Sequence, residues 1–226
     1  GREAALELGA QQGRYPMMSA RRIAPWIAAA ALLPGAALAQ SAGLDQAKRY
    51  EEFILSKPYL GYVEARLNEM EPPPLKAECP ALKLLGRETS WVIDQPKFAP
   101  GAVMPQSGRW TDRLSVDRCG KPATRNIAIA VREKEKLQAA AMIPGRTATS
   151  PLLQRDATVA AVAAARIKAG CRDAMHVVDS SIDGRYKPGA PWTEDWTFVG
   201  CNATAVVAIV FTPDVRGGST FTARAK

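Results

Sequence analysis

The chain has 226 residues, of which 47% are hydrophobic and 23% charged, and its net charge is +8. This composition excludes a disordered chain, which is poorer in apolar residues, and a collagen-like one, which is much richer in Gly and Pro. The single histidine, His176, excludes a His-rich metal site and is the one imidazole available for Ser-His-Asp catalysis. The moderate positive charge is compatible with an acidic partner but does not require one.

Residues 18–39 have the pattern of a secretory signal peptide. Arg21-Arg22 form a basic start, residues 23–33 an apolar run, and Ala37-Leu38-Ala39 a small-x-small cleavage site. The apolar run is shorter than the roughly 20 residues of a transmembrane helix, and no other run in the chain is long enough. We therefore predict a periplasmic or secreted bacterial protein whose mature chain has no transmembrane segment.

Residues 1–17 place charged residues ahead of a normal signal-peptide start, so we expect a non-native upstream extension, with Met17 or Met18 as the true start. Cleavage after Ala39 leaves 187 of the 226 residues. Because the removed part carries four arginines and two glutamates, the net charge falls from +8 to +6.

All four cysteines lie in the mature chain. An even number in an exported chain predicts two disulfides, with three possible connectivities. A zinc site built from the four is the alternative, but no C-x-x-C spacing occurs, and the compartment is oxidising. The cysteines are Cys79, Cys119, Cys171 and Cys201.

Helix signals lie at the start of each half of the mature chain. Asp45 is a predicted N-cap of a helix that Pro58 should kink or split, and Pro72-Pro73-Pro74 should end it in an extended linker. Ser150 is the predicted N-cap of a second, alanine-rich helix, and Gly170 its C-terminal glycine.

The remaining residues read as β-strands. Asn126–Val131 and Ala203–Phe211 are apolar on both faces, which predicts central strands of a sheet. Gly120 and Asn202 are turn residues that should join hairpin strands. Ser219 to Ala225 is the predicted last strand.

The two halves repeat a common pattern. Residues 110–119 and 192–201 both run from Trp to Cys in ten positions, of which three are identical. Each half has a helix, a Cys, a strand, a Pro-Gly-Ala turn, the Trp–Cys strand and an apolar strand. We therefore predict an α+β fold of two duplicated units, 40–148 and 149–226, each a helix followed by an antiparallel β-meander. The alternative is coincidence between two ordinary hairpins.

The duplication also selects a disulfide connectivity. If each unit is self-contained, Cys79 pairs with Cys119 and Cys171 with Cys201, giving one disulfide per unit. The chain-entropy model assigns roughly 3–4 kcal/mol to each such bridge.

Each unit places a carboxylate among large apolar side chains. Strand alternation puts Glu194 on one face with Trp192 and Trp196, and Asp112 on the matching face with Trp110. Such carboxylates could have raised pKa values and form a general-acid pair. The alternative places them at strand ends, beside water or an arginine such as Arg113 or Arg185. The three tryptophans are candidate binding residues.

Other chemistry has little support in the sequence. His176 lies in a predicted strand between Met175 and Val177, where a structural role is commoner than a catalytic one. No nucleophile elbow, phosphate-binding loop or metal-ligand cluster occurs, so no metal site or cofactor is predicted. The densest charged run, Arg132 to Lys136, alternates in sign and is a predicted solvated turn. Nucleic-acid binding is disfavoured, whereas an anionic envelope surface is compatible with the charge.

Residues 192–221, about thirty residues, resemble the tails of uncharacterised exported bacterial proteins. Those tails carry a Trp-x-acidic-x-Trp strand, a Cys, an apolar strand, Phe-x-Pro-Asp and Gly-Gly-[Ser/Thr]. The matching elements are Trp192, Glu194, Trp196, Cys201, Val206 to Phe211, Pro213-Asp214 and Gly217-Gly218-Ser219. Asn202 stands where such tails often have Gly. The resemblance implies export and a β-hairpin module, and no activity.

These observations favour a non-enzymatic, envelope-associated binding or interaction protein. It would recruit an envelope protein or anionic surface through an exposed sheet face or a groove between the units. A periplasmic hydrolase using Asp112, Glu194 and His176 on envelope material is the alternative. An inhibitor of a secreted hydrolase is a third possibility, for which a rigid loop from Gln95 to Ser107 would be the inhibitory element.

Overall fold

The computed structural model describes residues 35–132, 136–184, 186–215 and 217–226, with side chains from residue 44 onward. The predicted upstream extension and residues 18–34 of the predicted signal peptide lie outside the described residues. The described helices and strands are, in chain order, α1 (Gly35–Leu55), α2 (Lys57–Met70), α3 (Pro73–Glu78), β1 (Leu82–Lys97), β2 (Ser107–Arg118), β3 (Lys121–Arg132), β4 (Lys136–Ala141), α4 (Pro151–Ala169), β5 (His176–Ile182), β6 (Trp192–Gly200), β7 (Ala203–Pro213) and β8 (Ser219–Ala225).

The first helical region begins earlier in the chain than predicted, and it is split where predicted. Asp45 lies inside α1 and not at its start, and its carboxylate is 3.9 Å from the Arg49 guanidinium one turn later. The predicted split near Pro58 is confirmed, because Ser56 separates α1 from α2 and its hydroxyl accepts a hydrogen bond from the Tyr59 amide (3.3 Å). This contact caps α2 at its N-terminus.

The proline run does not form the predicted extended linker. Pro73 and Pro74 are the first residues of the short helix α3. Proline fits there because the first amides of a helix have no intrahelical partner and its fixed φ already suits the helix. The helix ends at Glu78, and the amide of the following residue, Cys79, donates to the Leu75 carbonyl (3.0 Å).

Helix α4 begins and ends as predicted. The Ser150 hydroxyl accepts from the Leu153 amide (3.3 Å), and Gly170 has the left-handed conformation (φ 61°) that ends many helices. Three alanines spaced one turn apart, Ala157, Ala161 and Ala165, are fully buried. Their small side chains allow the helix to lie close to its sheet.

The strands form two antiparallel four-stranded meanders, in the orders β1-β2-β3-β4 and β5-β6-β7-β8. The predicted central strands are β3 and β7. A shift of 82 positions relates the registers of the two sheets: Trp110 pairs with Ile129 as Trp192 pairs with Phe211. The same shift relates the β3–β4 ladder to the β7–β8 ladder. The predicted α+β duplication is thus confirmed at the level of strand register.

The disulfides also repeat. Cys79 is bonded to Cys119 and Cys171 to Cys201, as predicted, with sequence separations of 40 and 30. Cys119 and Cys201 each begin a two-residue hairpin turn in which both residues have positive φ, and Gly120 and Asn202 complete these turns. Gly and Asn are the residues that such turns prefer.

Each sheet packs its own helices on one face. In the first unit, α1 and α2 cover Trp110, Leu114 and Ile127, whereas in the second, α4 covers Trp196 and Phe211. A connecting segment, residues 142–150, runs from the end of β4 to the start of α4.

Candidate functional site

A cavity of about 340 Å³ lies between the two units and is lined by residues of both. We call it the inter-unit cavity. Trp91 and Ile93 of β1 and Tyr186, after β5, contribute large side chains that are 46%, 48% and 40% exposed. Arg113 of β2 and Met142 of the connecting segment also line it. A concave, mostly apolar site with a few polar groups is the usual form of a ligand-binding site.

Arg113 reaches the inter-unit cavity from the sheet face opposite the helices. Its guanidinium carbon lies 4.8 Å from the centre of the Trp91 ring, a cation–π distance. Its Nε donates to the Asn126 side-chain oxygen (3.3 Å), and its Nη2 donates to the Thr147 carbonyl. Burial lowers the pKa of Arg113 below its usual value. The arginine therefore joins the first sheet to the connecting segment.

The connecting segment is hydrogen-bonded to both sheets. The Gly145 amide donates to the Thr124 carbonyl of β3 (3.0 Å), and the Arg146 amide donates to the Ser180 carbonyl of β5 (2.7 Å). Gly145 has φ 88°, and a Cβ there would lie 2.3 Å from the Ser180 carbonyl oxygen. Only glycine fits this approach, so the segment fixes one side of the inter-unit cavity.

Asp112 is fully buried on the helix-facing side of β2. Its carboxylate accepts hydrogen bonds from the Tyr59 hydroxyl of α2 and from the Ser90 hydroxyl of β1 (2.5 Å). The Trp110 indole donates to the Tyr59 hydroxyl (2.8 Å). Burial raises the pKa of the Asp112 carboxyl above its usual value, although the two hydroxyl contacts oppose that rise. Asp112 thus ties α2 to its sheet.

Glu194 occupies the equivalent position of β6 and is also fully buried. It accepts four hydrogen bonds: from the Thr147 hydroxyl (2.8 Å), the Ala148 amide (2.8 Å) and the indole groups of Trp192 (3.0 Å) and Trp196 (2.9 Å). Glu194 therefore ties the connecting segment, just before α4, to the second sheet.

Neither carboxylate occupies the predicted alternative, a strand end that meets water. Both residues have 0% exposed surface, although Asp112 belongs to the lining of the inter-unit cavity, and the carboxylate oxygens of both accept hydrogen bonds from protein groups. A general acid must reach its substrate, so the burial of both carboxylates gives no support to the hydrolase alternative. Arg185, offered as a partner for these groups, lies outside the described residues.

His176 and two of the three candidate tryptophans lie away from the inter-unit cavity. His176 is the half-buried first residue of β5. Trp110 and Trp196 have no exposed surface, so they present nothing to a partner in this structure. Trp192 is half-buried, stacks on Phe211 with ring centres 5.0 Å apart, and meets the Tyr186 ring edge-on at 5.8 Å. Trp192 thus contacts Tyr186, a residue that lines the inter-unit cavity.

The loop offered as an inhibitory element packs against α1. Its ends belong to β1 and β2, and the Arg49 side chain donates to the Ala99 and Ala102 carbonyls (2.8 and 2.6 Å). Val103 at its tip is 84% exposed. A second, larger cavity of about 870 Å³ lies between this loop, α1, α2 and β4. Since the Arg49 guanidinium is already bonded to the loop, this cavity offers chiefly apolar surface.

Sequence reasoning missed three residues of the inter-unit cavity. Trp91 lies in the apolar run Trp91-Val92-Ile93, which reads as a buried strand, yet β1 is an edge strand and the run is exposed. Tyr186 lies in a turn, and Arg113 was considered only as a partner for a carboxylate. The one sequence signal that could have found part of this site is the alternation along β1, which places Trp91 and Ile93 on the same face of the strand.

No family model, curated protein or solved structure matches this chain. Within the part of the chain that the structure describes, no helix is long and apolar enough to cross a membrane. The same residues contain no cluster of three or more His, Cys, Asp or Glu that could hold a metal ion.

Proposed function

We propose that this protein is an exported, envelope-associated binding protein that takes its ligand in the inter-unit cavity. The predicted signal peptide and two disulfides support export, because disulfides form and persist in oxidising compartments. The resemblance of the C-terminal hairpin to exported bacterial proteins points in the same direction. A periplasmic location is our specific proposal.

The observation that carries the binding role is the exposed apolar lining of the cavity. Trp91, Ile93 and Tyr186 expose 40–48% of their surfaces at one concave place. Clustered exposed apolar side chains on a soluble protein mark binding sites more often than isolated ones do. Aromatic side chains and arginine are also the residues that contribute most often to binding energy.

The duplication explains why a cavity forms at this place. Each unit covers one face of its sheet with helices, and the connecting segment joins β3 of the first sheet to β5 of the second. The cavity lies where this segment crosses the uncovered face of the first sheet. Binding would therefore depend on the pair of units, since residues 91 and 186 belong to different ones.

The test is ligand capture by the mature, oxidised protein from an envelope extract. We expect the Trp91→Ala/Tyr186→Ala double variant to lose at least 90% of a ligand that the unaltered protein recovers reproducibly. The matched control is Val159→Ala/Ile167→Ala, which removes exposed apolar side chains (76% and 84% exposed) from α4, far from the cavity lining. Equal recovery by all three proteins, or no specific recovery by the unaltered one, would contradict the proposal.

A further inference from the structure

The positive charge of Arg113 has no ion-pair partner among the described residues. Its side-chain contacts there are the Asn126 oxygen, the Thr147 carbonyl and the Trp91 ring, all of them uncharged. Glu88 and Glu194 act on it only from beyond ion-pair distance. Glu194 accepts its four hydrogen bonds from the connecting segment and from two indoles, so its attraction on Arg113 acts at longer range and not through a direct contact.

Part of the guanidinium remains free to bind a ligand. Nε and Nη2 donate to protein oxygens, whereas Nη1 makes no hydrogen bond to the described residues and is not an enclosed atom. Because Nη2 carries a second proton, the Nη1–Nη2 edge can donate two parallel hydrogen bonds. This is the geometry with which arginine binds a carboxylate.

Two further positive groups lie near this edge. Ser150 and Pro151, the N-cap and first residue of the 19-residue helix α4, line the same cavity. The N-terminus of a helix carries a partial positive charge that favours anions. Arg146 is close enough to lower the pKa of Arg113 by repulsion of like charges. These groups add positive potential to that of Arg113, against which Glu88 and Glu194 act from beyond ion-pair distance, so the free guanidinium edge is the group that would hold an anion directly.

The other walls are apolar and the space is limited to about 340 Å³. We infer that the inter-unit cavity binds an organic carboxylate, with Arg113 holding the carboxylate group and Trp91 and Tyr186 contacting an attached apolar group. This inference rests on the proposed binding function and names its ligand class. The free edge of one guanidinium matches the two oxygens of a carboxylate, and the apolar walls match an attached apolar group, which inorganic phosphate lacks.

The experiment uses the mature, oxidised protein and four defined probes. N-acetyl-phenylalanine carries the carboxylate and the ring, and its amide lacks only the charge. The tripeptide Gly-Gly-Phe tests whether the carboxylate belongs to a polypeptide C-terminus, and inorganic phosphate tests for an unselective anion site. Calorimetry gives the affinities. The ¹⁵N-resolved side-chain Nε–H signal of Arg113 reports contact directly, without any substitution.

We expect N-acetyl-phenylalanine to bind at least tenfold more tightly than its amide and to shift the Arg113 signal. Arg113→Gln should weaken this binding by about 10- to 100-fold, as for other hydrogen bonds to charged groups. Arg113→Lys should recover only part of the affinity, because a lysine cannot donate two parallel hydrogen bonds to a carboxylate. Arg155→Gln, on an exposed arginine paired with Asp156, is the control and should change nothing. Tighter binding of the tripeptide would identify a polypeptide C-terminus as the source, and equal or weaker binding a free acid.

Three results would overturn the inference: equal affinity for acid and amide, equal affinity for phosphate, or an Arg113 signal that does not respond. In each case the proposed binding function stands if Trp91→Ala/Tyr186→Ala still abolishes capture from the envelope extract. If the Trp91→Ala/Tyr186→Ala variant instead captures as much ligand as the unaltered protein, the proposed function is overturned. The two failures are therefore separable.

Discussion

Asp112 and Glu194 occupy equivalent positions in the two units, yet their hydrogen-bond donors differ in kind. Asp112 accepts from two hydroxyl groups, those of Tyr59 and Ser90. Glu194 accepts from a hydroxyl, a backbone amide and two indoles, so three of its four donors are N–H groups. Asp112 connects the first sheet to α2, and Glu194 connects the second sheet to the connecting segment. The donors around Glu194 are the less able to accept a different side chain.

The difference follows from the chemistry of the donors. A hydroxyl can donate or accept, so it can reverse its role when its partner changes. An amide or indole N–H can only donate. The first unit can therefore tolerate a changed partner at residue 112, whereas the second unit requires an acceptor at both oxygens of residue 194. The two equivalent positions are equally buried, and we expect them to differ in their tolerance to substitution.

Removal of one disulfide at a time should have the largest effect on the two units. The bridges close loops of 40 and 30 residues, so the chain-entropy model predicts a similar loss, about 4 kcal/mol, for either one. We expect this loss in the free energy of unfolding of Cys79→Ser/Cys119→Ser and of Cys171→Ser/Cys201→Ser, measured in urea. Hydrogen exchange should locate each loss in its own unit, and loss of protection mainly in the opposite unit would refute their independence.

Replacement of each carboxylate by its amide should lower the free energy of unfolding by different amounts in the two units. Both losses should be smaller than the loss caused by removing a disulfide. Glu194→Gln turns an –NH₂ group toward N–H donors and should cost about 3 kcal/mol, because buried donors lose their acceptor. Asp112→Asn should cost about 1 kcal/mol, since the Ser90 hydroxyl can accept from the new amide. Urea unfolding at neutral pH measures both losses.

The matched control for this pair is Asp156→Asn, on a carboxylate paired with Arg155 at the protein surface, which should cost less than about 0.5 kcal/mol. Equal losses from Glu194→Gln and Asp112→Asn would show that burial alone, and not the kind of donor, determines tolerance at these positions.

Local signals in the sequence were sufficient for much of the fold. The caps of α4, the hairpin turns at Gly120 and Asn202 and the alternation around Glu194 are properties of a few neighbouring residues, and each predicted feature is present. The disulfide pairing followed from the repeat. The start of α1 and the helix at Pro73 were predicted wrongly, because a capping residue or a proline run fits more than one local structure.

The candidate site could not be predicted in the same way, because its contacts join distant parts of the chain. Glu194 bonds to residues 46 and 47 positions earlier, and Arg113 bonds to a carbonyl 34 positions later. Alternation predicts which face a side chain lies on, but it does not say what covers that face. Asp112 is enclosed because α2 packs on its face of the sheet, whereas Trp91 stays exposed on the edge strand β1.

The smallest predicted effect concerns alkaline pH and tests whether the first core responds differently from the second. Burial raises the pKa of Tyr50 to about 12 and that of Tyr59 in the same direction, whereas the second core contains no tyrosine. The folded chain thus keeps these protons where the unfolded chain, with a tyrosine pKa of about 10, has lost them. Linkage then requires stability to fall as pH rises from about 10 through 12.

Tyr50→Phe should make this fall shallower, by about 0.5 kcal/mol per pH unit once partial solvent contact is allowed for. Urea unfolding at pH 8, 10 and 11 measures the slope, and phenolate absorbance gives the titration of the folded protein. All four cysteines are paired, so no free thiolate is present to start disulfide exchange. Tyr186→Phe, on a ring at the surface of the second unit, is the control and should leave the slope unchanged. If both variants change the slope equally, the difference between the cores does not lie in the buried Tyr50 hydroxyl, which is bonded to Ser90 inside the first unit.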